Sequence, residues 1–386
     1  MPDSVYLDHA ASTPMRPEAF AAMVPFLAEH PGNPSGAHGA ARAAKTALEE
    51  AREGVAALCG CTPHEIVFTG SGSEADNLAI KGAAWAARSR AARLDGVVTS
   101  GIEHKAVLGA CDRLARDGFR VTRVDAGPDG VVDLETLARA FDEHTAVVSV
   151  MLVNNETGVR QPVDEIARIV RDRAPRAVLH TDAIQAPQWI DFASVVSDVS
   201  LVALSGHKFG GPKGVGALIV RDDTPLVPLV DGGGHERGLR AGTQNVAGIV
   251  AFATALRITH DRRAEEVARI RALRDALEDG FAERIPGFAV NGAPDARVAG
   301  ILHGTFDGVE AETLLVALDQ QGVMAASGSA CSSGAVDPSH VLLSMGMARG
   351  RALSSVRFSL GYASTRADVD AALVIVPEVV AKLRAG

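Results

Sequence analysis

The residues best suited to chemistry in this sequence follow short apolar segments that have the composition of buried β-strands. Five such pairs of segments occur: residues 66–68 before 69–77, 97–99 before 100–104, 147–153 before 154–156, 177–180 before 181–185, and 199–204 before 205–208. In a parallel sheet, ligands bind outside the carboxyl ends of the strands. The sequence therefore predicts one site, assembled from these polar segments at one edge of a sheet.

The turn after the first of these strands reads Thr69-Gly-Ser-Gly-Ser73 and opens a predicted helix. Glycines such as Gly72 let backbone N–H groups approach an anion, and a helix N-terminus favours phosphate. Ser71 and Ser73 add hydroxyl donors. The alternative interpretation is an ordinary helix start in which Ser73 is the N-cap.

Asp182 and Lys208 together indicate pyridoxal phosphate. A carboxylate at a strand end in an apolar setting can pair with the protonated ring nitrogen of that cofactor, although it can equally cap a helix. Gln185, one turn further on, could reach the ring oxygen. Lys208 follows His207 among glycines, which suits Schiff-base chemistry. Lys213 is the competing lysine, but it lies beyond a Gly-Gly-Pro turn and is expected to face solvent.

Four further residues are candidates for the reaction itself. His104 could stack on a flat ring and transfer protons, or cap a helix. Asn155 could bond a phenolate oxygen or a substrate carboxylate. Cys331 lies in a small, polar, glycine-flanked segment typical of a loop, which favours a reactive thiol over a buried apolar one. Arg357 lies on the polar face of a predicted strand at 355–360 and could bind a carboxylate through two hydrogen bonds, or be an ordinary surface arginine.

The elements that must position these residues alternate between strands and amphipathic helices, which predicts a parallel, doubly wound α/β sheet. A long charged helix near residues 254–282 is expected to lead into a smaller second domain. We therefore predict a large cofactor-binding domain at 14–258. Residues 1–13 and 259–386 would form the small domain, with Cys331 and Arg357 in it.

Composition limits the other classes of function. The net charge of −9, without a basic stripe, argues against a large nucleic-acid surface. The longest apolar stretches fall short of the ~18 residues of a membrane span, and no secretory signal is evident. Cys59 and Cys61 have no second cysteine pair to complete a zinc site, and four cysteines in this chain do not form a disulfide framework. We expect a cytoplasmic protein without a bound metal.

At these residues the sequence resembles the cysteine desulfurases of the NifS/IscS-like group, in the class V aminotransferase branch of fold-type I pyridoxal-phosphate enzymes. The resemblance covers nearly the whole chain and is carried by these motifs: YLDHAASTP, GNPSGAH, FTGSGSEADNLAIKG, EHKAV, NNETG, TDAIQ, SGHKFGGPKGVGAL, GGGHERGLRAGT, SGSACSSG and SSVRFSLG. It implies the fold-type I transferase fold, with a mainly parallel seven-stranded sheet in the large domain and a smaller α/β C-terminal domain.

The resemblance also implies residue roles, position by position. They are: Lys208 as the covalent anchor of the cofactor, Asp182 on the ring nitrogen, Gln185 on the ring hydroxyl, His104 stacked on the ring, Gly72, Ser73, Ser205 and His207 on the phosphate, Thr243 on the phosphate of the neighbouring subunit, and Asn155 and Arg357 on the substrate carboxylate. Asn155 also belongs to the predicted cofactor contacts. A homodimer with composite sites follows from the role of Thr243.

The implied activity is the conversion of L-cysteine to L-alanine, with the sulfur passing to Cys331 as a persulfide and then to an acceptor protein. An iron–sulfur scaffold or a thiolation enzyme is expected as acceptor. The sequence departs from many relatives in its GSGSE turn, in Ser332, and in the short AKLRAG end, which lacks a tail that some members use to dock a scaffold. A selenocysteine lyase, another class V aminotransferase-like enzyme and a non-catalytic sulfur carrier are the alternatives.

Overall fold

A computed structural model describes residues 4–328 and 337–385 of the chain. Its strands are β1 (Val5–Tyr6), β2 (Ile66–Thr69), β3 (Gly96–Ser100), β4 (Arg120–Val124), β5 (Thr145–Ser149), β6 (Val178–Asp182), β7 (Leu201–Ser205), β8 (Gly216–Val220), β9 (Phe288–Val290), β10 (Ile301–Phe306), β11 (Val323–Met324) and β12 (Ser355–Ser359).

The helices alternate with the strands from β2 to β6. They are α1 (Pro17–Ala28), α2 (Gly39–Cys59), α3 (Gly72–Arg90), α4 (Lys105–Arg116), α5 (Leu134–Arg139), α6 (Val163–Arg173), α7 (Val246–Arg284), α8 (Ala311–Gln320), α9 (His340–Ser344), α10 (Arg349–Ala352) and α11 (Arg366–Ala385).

Seven strands form the central sheet in the spatial order β2-β8-β7-β6-β5-β3-β4. Every strand of it except the edge strand β4 is buried throughout, because helices cover both faces. This confirms the predicted mainly parallel sheet. The exception is β8, which pairs antiparallel with β2 and with β7. Only residues 206–215 connect β7 to β8, which is shorter than the dozen or more residues that a parallel crossover requires.

Two smaller sheets accompany the second half of the chain. Strands β12, β10 and β9 form an antiparallel sheet, and β1 pairs in parallel with β11. Phe281 on α7 packs edge-on against Phe306 and Phe358 and so holds this sheet to the long helix. Helix α7 runs continuously across residue 258, so the predicted domain division at 258/259 falls within a helix and stays a prediction.

The sheet brings the ends of β2, β3, β5, β6 and β7 to one edge, where the five polar segments meet. Strand β6 runs two residues further than the sequence predicts and ends on Asp182, which is paired with Ala203 of β7. The carboxyl group of Asp182 is therefore held by the sheet itself rather than by a loop. Among the described residues, no helix has the length and apolar character needed to cross a membrane.

Candidate active site

A cavity of about 530 Å³ opens at this edge of the sheet. The predicted residues that line it are Gly72, Ser73, His104, Asn155, Asp182, Gln185, Ser205, His207, Lys208 and Arg357. They come from the last residues of β6 and β7, from the loops after β3, β5, β6 and β7, from the start of α3 and from β12. The structure thus brings together ten of the predicted site residues.

One end of the cavity is formed by the first turn of α3. The N-cap is Ser71, whose Oγ accepts a hydrogen bond from the backbone N–H of Glu74 at 3.1 Å. The alternative interpretation with Ser73 as the cap is therefore wrong, and Ser73 is exposed at the helix start. A side chain at Gly72 would collide with Ile184, 2.3 Å from the position of its Cβ, and would lie 3.0 Å from Cβ of Ser205. The missing side chain lets backbone N–H groups line an anion site.

Lys208 ends a short 3-10 turn directly after β7. Its Nζ donates hydrogen bonds to the carbonyl oxygens of Ala10 at 2.6 Å and Ala11 at 2.9 Å. Burial, with a further contribution from the Arg357 charge, lowers the pKa of the Lys208 amine to about 8, and Asp182 opposes this shift. A sizeable fraction of the amine is therefore uncharged and nucleophilic near neutral pH. Lys213 is exposed at the rim of the same cavity.

Asp182 is 4% exposed and reaches the cavity from the last position of β6. Its Oδ1 accepts a hydrogen bond from the backbone N–H of Ile184 at 2.9 Å. Burial raises the pKa of this carboxyl, while the nearby His104 and Lys208 favour its charged form. A carboxylate fixed in this way suits a positively charged ring nitrogen.

His104 is the N-cap of α4, and its Nδ1 accepts a hydrogen bond from the backbone N–H of Ala106 at 3.1 Å. His104 therefore both caps α4 and lines the cavity, two roles that the sequence had left as alternatives. Because Nδ1 accepts, the proton of the neutral ring lies on Nε2. Desolvation at the cavity wall lowers the pKa of His104, with Asp182 opposing and Lys208 adding to the shift.

The N-terminal segment supports the cofactor side of the cavity. The carbonyl of Ala10 accepts a hydrogen bond from Gln185 Nε2 at 2.8 Å as well as one from Lys208. His207 Nδ1 lies 3.3 Å from Ser12 Oγ, and burial lowers the pKa of His207 to about 4, so its ring is neutral. The family resemblance included the YLDHAASTP motif, but reasoning from single residues assigned no role to this segment.

Arg357 is buried on β12, so the interpretation of an exposed surface arginine is wrong. One terminal nitrogen donates to Asp8 Oδ1 at 2.7 Å and the other to the backbone carbonyl of Asn155 at 2.7 Å. The Asn155 residue also lines the cavity. A guanidinium has five N–H donors, so these two hydrogen bonds leave others for a substrate carboxylate, and Nε of Arg357 has no hydrogen-bond partner among the described residues.

One described site residue does not line this cavity. Thr243 is exposed and is absent from the cavity lining. Cys331 lies outside the described residues. Gly328, three positions before it in the chain, does line the cavity.

Three polar residues near the cavity had no predicted role. Glu156 is buried and accepts a hydrogen bond from Ser339, and His340 lines the cavity with its Nε2 2.8 Å from the carbonyl oxygen of Glu103. Asp76 is fully buried on α3. The sequence feature that could have identified Asp76 is its carboxylate, which lies one turn into an alanine-rich helix with a buried face.

These residues fit pyridoxal phosphate. The side-chain-free start at Gly72 offers an anion site, and Asp182 offers a carboxylate for a charged ring nitrogen. Lys208 supplies the amine in the same cavity, with His104 on its wall.

The chain is similar to known proteins over nearly its whole length. The family model for class V aminotransferases matches residues 5–372. The chain is 44% identical to the IscS-like cysteine desulfurase of Mycobacterium tuberculosis, over 98% of this chain and 97% of that protein. Among solved structures, it is similar to a NifS-like protein with a TM-score of 0.92 and 35% identity, covering 98% of this chain and 100% of the other. It is also similar to SspA in complex with cysteine, with a TM-score of 0.81 and 33% identity, covering 94% and 100%.

The chain therefore belongs to the class V aminotransferase family and, within it, to the cysteine desulfurases. The predicted family and fold are confirmed. The family depends on pyridoxal phosphate, which confirms the predicted cofactor.

Proposed function

We propose that this protein converts L-cysteine to L-alanine and transfers the sulfur to Cys331 as a persulfide. The observation that supports this most is the common cavity of Lys208, Asp182 and His104, which Arg357 also lines. An amine, a carboxylate for the ring nitrogen and a substrate-binding guanidinium are the groups that an amino-acid-converting cavity of this family needs.

Bound pyridoxal phosphate would supply an electron sink for the bonds at the substrate α-carbon. Gly72, Ser73, Ser205 and His207 would hold its phosphate, Asp182 its ring nitrogen, Gln185 its ring hydroxyl and His104 the face of its ring. Asn155 is the further proposed cofactor contact. Lys208 would hold it covalently until substrate arrives and would then act as a base.

Arg357 and Asn155 would orient the substrate carboxylate, and the positive charge of the buried guanidinium favours the carboxylate over a neutral group. The Cys331 thiolate would attack the substrate sulfur. An S–S bond forms, the C–S bond breaks, and its electron pair goes to the carbon fragment. Lys208 or His104 then returns a proton, so that the fragment leaves as alanine.

The chain position of Cys331 supports this route, because Gly328 lines the cavity only three residues earlier. A thiolate nucleophile also suits a reducing compartment, so we propose the cytoplasm as its location. The sulfur would pass on to an acceptor protein, either an iron–sulfur scaffold or a thiolation enzyme.

We further propose that the protein acts as a homodimer in which Thr243 reaches the phosphate of the partner's cofactor. The exposure of Thr243, away from the cavity of its own protomer, supports this. Lys208→Ala and Thr243→Val proteins, mixed under conditions that exchange subunits, test the idea. Mixed dimers should contain one complete site and regain activity. If Thr243 serves its own protomer, mixing gives no gain.

Product analysis tests the proposed activity. The protein is supplied with pyridoxal phosphate, L-cysteine and a reductant, and alanine and sulfide are measured together. Equal amounts of both, with a yellow but inactive Cys331→Ala variant, are the expected result. Full turnover by Cys331→Ala would contradict a persulfide route and favour a lyase. A wild-type protein that stays colourless would contradict the proposed role of Lys208.

A further inference from the structure

A second buried carboxyl group lies directly behind Asp182. Asp76, on α3, is fully buried, and neither of its carboxyl oxygens has a hydrogen-bond partner among the described residues. Oδ1 of Asp76 lies 3.5 Å from Nε2 of His180, which has no hydrogen-bond partner there either. Carboxyl oxygens of Asp76 and Asp182 approach within 4.8 Å, and a ring nitrogen of His104 lies within the same distance of both groups.

The titratable neighbours of Asp76 on β6 and before α4 are two acids and two histidines. Strand β6 contributes His180 and Asp182, and the segment before α4 contributes Glu103 and His104. On α4, burial raises the pKa of the Cys111 thiol to about 12, with the charge of Glu103 adding to the shift, so this thiol is neutral. The strands β2, β5, β7 and β8, which also pack against α3, contain no charged residue.

None of these neighbours offers Asp76 a firm counter-charge. Burial lowers the pKa of His180 to about 3, so its ring is neutral, and its Nδ1 lies 2.9 Å from Ser149 Oγ. Burial raises the pKa of Asp76 well above its usual range, and the charges of Asp182 and Glu103 raise it further. Two carboxylates this close, away from water, cannot both be ionised without a large cost.

The two groups differ in what stabilises a negative charge. Asp182 accepts the backbone N–H of Ile184 and feels the charge of Lys208 across the cavity. Asp76 accepts no hydrogen bond from any described residue. The proton of the pair therefore belongs on Asp76.

We propose that Asp76 is a neutral carboxylic acid whose protonation leaves Asp182 as the charged carboxylate that meets the cofactor's ring nitrogen. Asp76 is thus a positioning residue, which acts on the cofactor only through Asp182. This last step rests on the proposed function, whereas the protonation of Asp76 itself does not.

The protonation of Asp76 can be tested on the cofactor-free protein. Infrared spectra of the wild type and of Asp76→Asn should differ by one carbonyl band of a protonated carboxylic acid, which is missing in the variant. If the bands are identical at neutral pH, the proposal is overturned. A stoichiometric divalent metal in the cofactor-free protein would overturn it as well, because a cation would then supply the missing counter-charge.

Thermal unfolding measured as a function of pH provides a second test, because the sign of the difference in unfolding temperature between variant and wild type is predicted. An acid whose native pKa is raised binds its proton more tightly when folded, so its contribution to stability falls as pH rises above about 3.9. Asp76→Asn removes this term and should unfold about 2 °C above the wild type at pH 8, with a smaller difference at pH 5. The matched control is Glu236→Gln, a buried carboxylate paired with Arg52, which should unfold below the wild type at pH 8. A less stable Asp76→Asn protein at pH 8 would contradict a neutral Asp76.

The link to the cofactor is tested by the visible band of the loaded protein. In the wild type, ionisation of Asp76 at alkaline pH should shift the band, and Asp76→Asn should lack this step while remaining yellow. An unchanged alkaline profile in Asp76→Asn would overturn the positioning role. Failure of the wild type to turn yellow would count against the proposed function alone, because the infrared and unfolding results do not need the cofactor.

Discussion

Two buried acidic regions of this protein differ in how their charges are satisfied. Glu236 forms two hydrogen bonds of 2.8 Å with Arg52 and accepts a third from the backbone N–H of Phe68 at 2.9 Å. Asp182 and Asp76 instead lie together with few donors and with unpartnered oxygens on Asp76. The pairing lowers the pKa of Glu236, whereas burial raises the pKa of both aspartates.

The difference separates a structural ion pair from a functional site. Glu236 has a left-handed backbone with φ of 45°, a conformation that costs about 1–3 kcal/mol and persists only where surrounding contacts enforce it. Its ion pair with Arg52 is such a contact. Asp182 instead lines the cavity, where a ligand can pair with it, and Asp76 lies behind it without a hydrogen-bond partner among the described residues. Acidic groups of this second kind are candidates for function.

The largest expected effect is that of replacing Lys208, whose amine lies in the cavity. Lys208→Ala should lower turnover of L-cysteine by at least about a thousandfold, since a proton-transferring residue alone contributes about 10²–10⁴-fold and the covalent anchor is lost as well. Steady-state alanine release measures this. Lys213→Ala is the matched control, since Lys213 is exposed at the rim, and it should stay close to the wild type. Equal losses in both variants would remove the distinction between the two lysines.

Substitutions in the ion pair of Arg52 and Glu236 should change the stability of the fold rather than the rate of catalysis. Glu236→Leu removes the buried counter-charge of the Arg52 guanidinium, which keeps only Glu49 and the backbone carbonyl of Ile66 as hydrogen-bond partners among the described residues. It should cost about 3 kcal/mol in the free energy of unfolding. Denaturant unfolding measures this loss. Replacing both partners, with Arg52→Met and Glu236→Leu, should restore much of the stability. A double variant as unstable as the single one would show that the region depends on more than its ion pair.

Arg357 tests the substrate side of the cavity. Arg357→Lys keeps a positive charge but loses the planar pair of donors, so KM for L-cysteine should rise about tenfold while the protein remains yellow. The KM and kcat values are compared with those of the wild type. Loss of colour instead would assign Arg357 to the cofactor rather than to the substrate.

The last expected effect is a pH dependence of the rate of cofactor loading. Lys208 must be uncharged to attack the cofactor's carbonyl carbon, and its pKa lies at about 8. The rate at which the cofactor-free protein turns yellow should therefore rise about tenfold per pH unit below pH 8 and level off above it. Stopped-flow absorbance measures this rate. A rise that continues to pH 10 would show an amine with an ordinary pKa.

The parts of the site that depend on local sequence pattern could be predicted from the sequence. Asp182 and Lys208 follow apolar runs at the ends of parallel strands, so their shared location followed from the strand pattern alone. The family, the mainly parallel sheet and the cofactor are confirmed. The domain division and the individual residue roles, including those of Cys331 and Thr243, stay predictions.

The remaining features depend on three-dimensional contacts that no local pattern encodes. Strand β8 runs antiparallel because the turn after Lys208 is too short for a crossover. Ser71 rather than Ser73 caps α3, a choice between two serines that differ by two positions. The burial of Arg357 requires Asp8, which lies 349 positions away in the chain. The closeness of Asp76 to Asp182 likewise arises only when α3 packs on the sheet.

The most direct test of the central claim is to find the sulfur on the protein. Cofactor-loaded wild type and Lys208→Ala are each mixed with L-cysteine without a reductant, and the peptide that contains Cys331 is analysed by mass spectrometry. The account predicts one added sulfur atom on Cys331 in the wild type and none in Lys208→Ala. An unmodified Cys331 in a wild-type protein that has released alanine would contradict it, as would equal modification in both proteins.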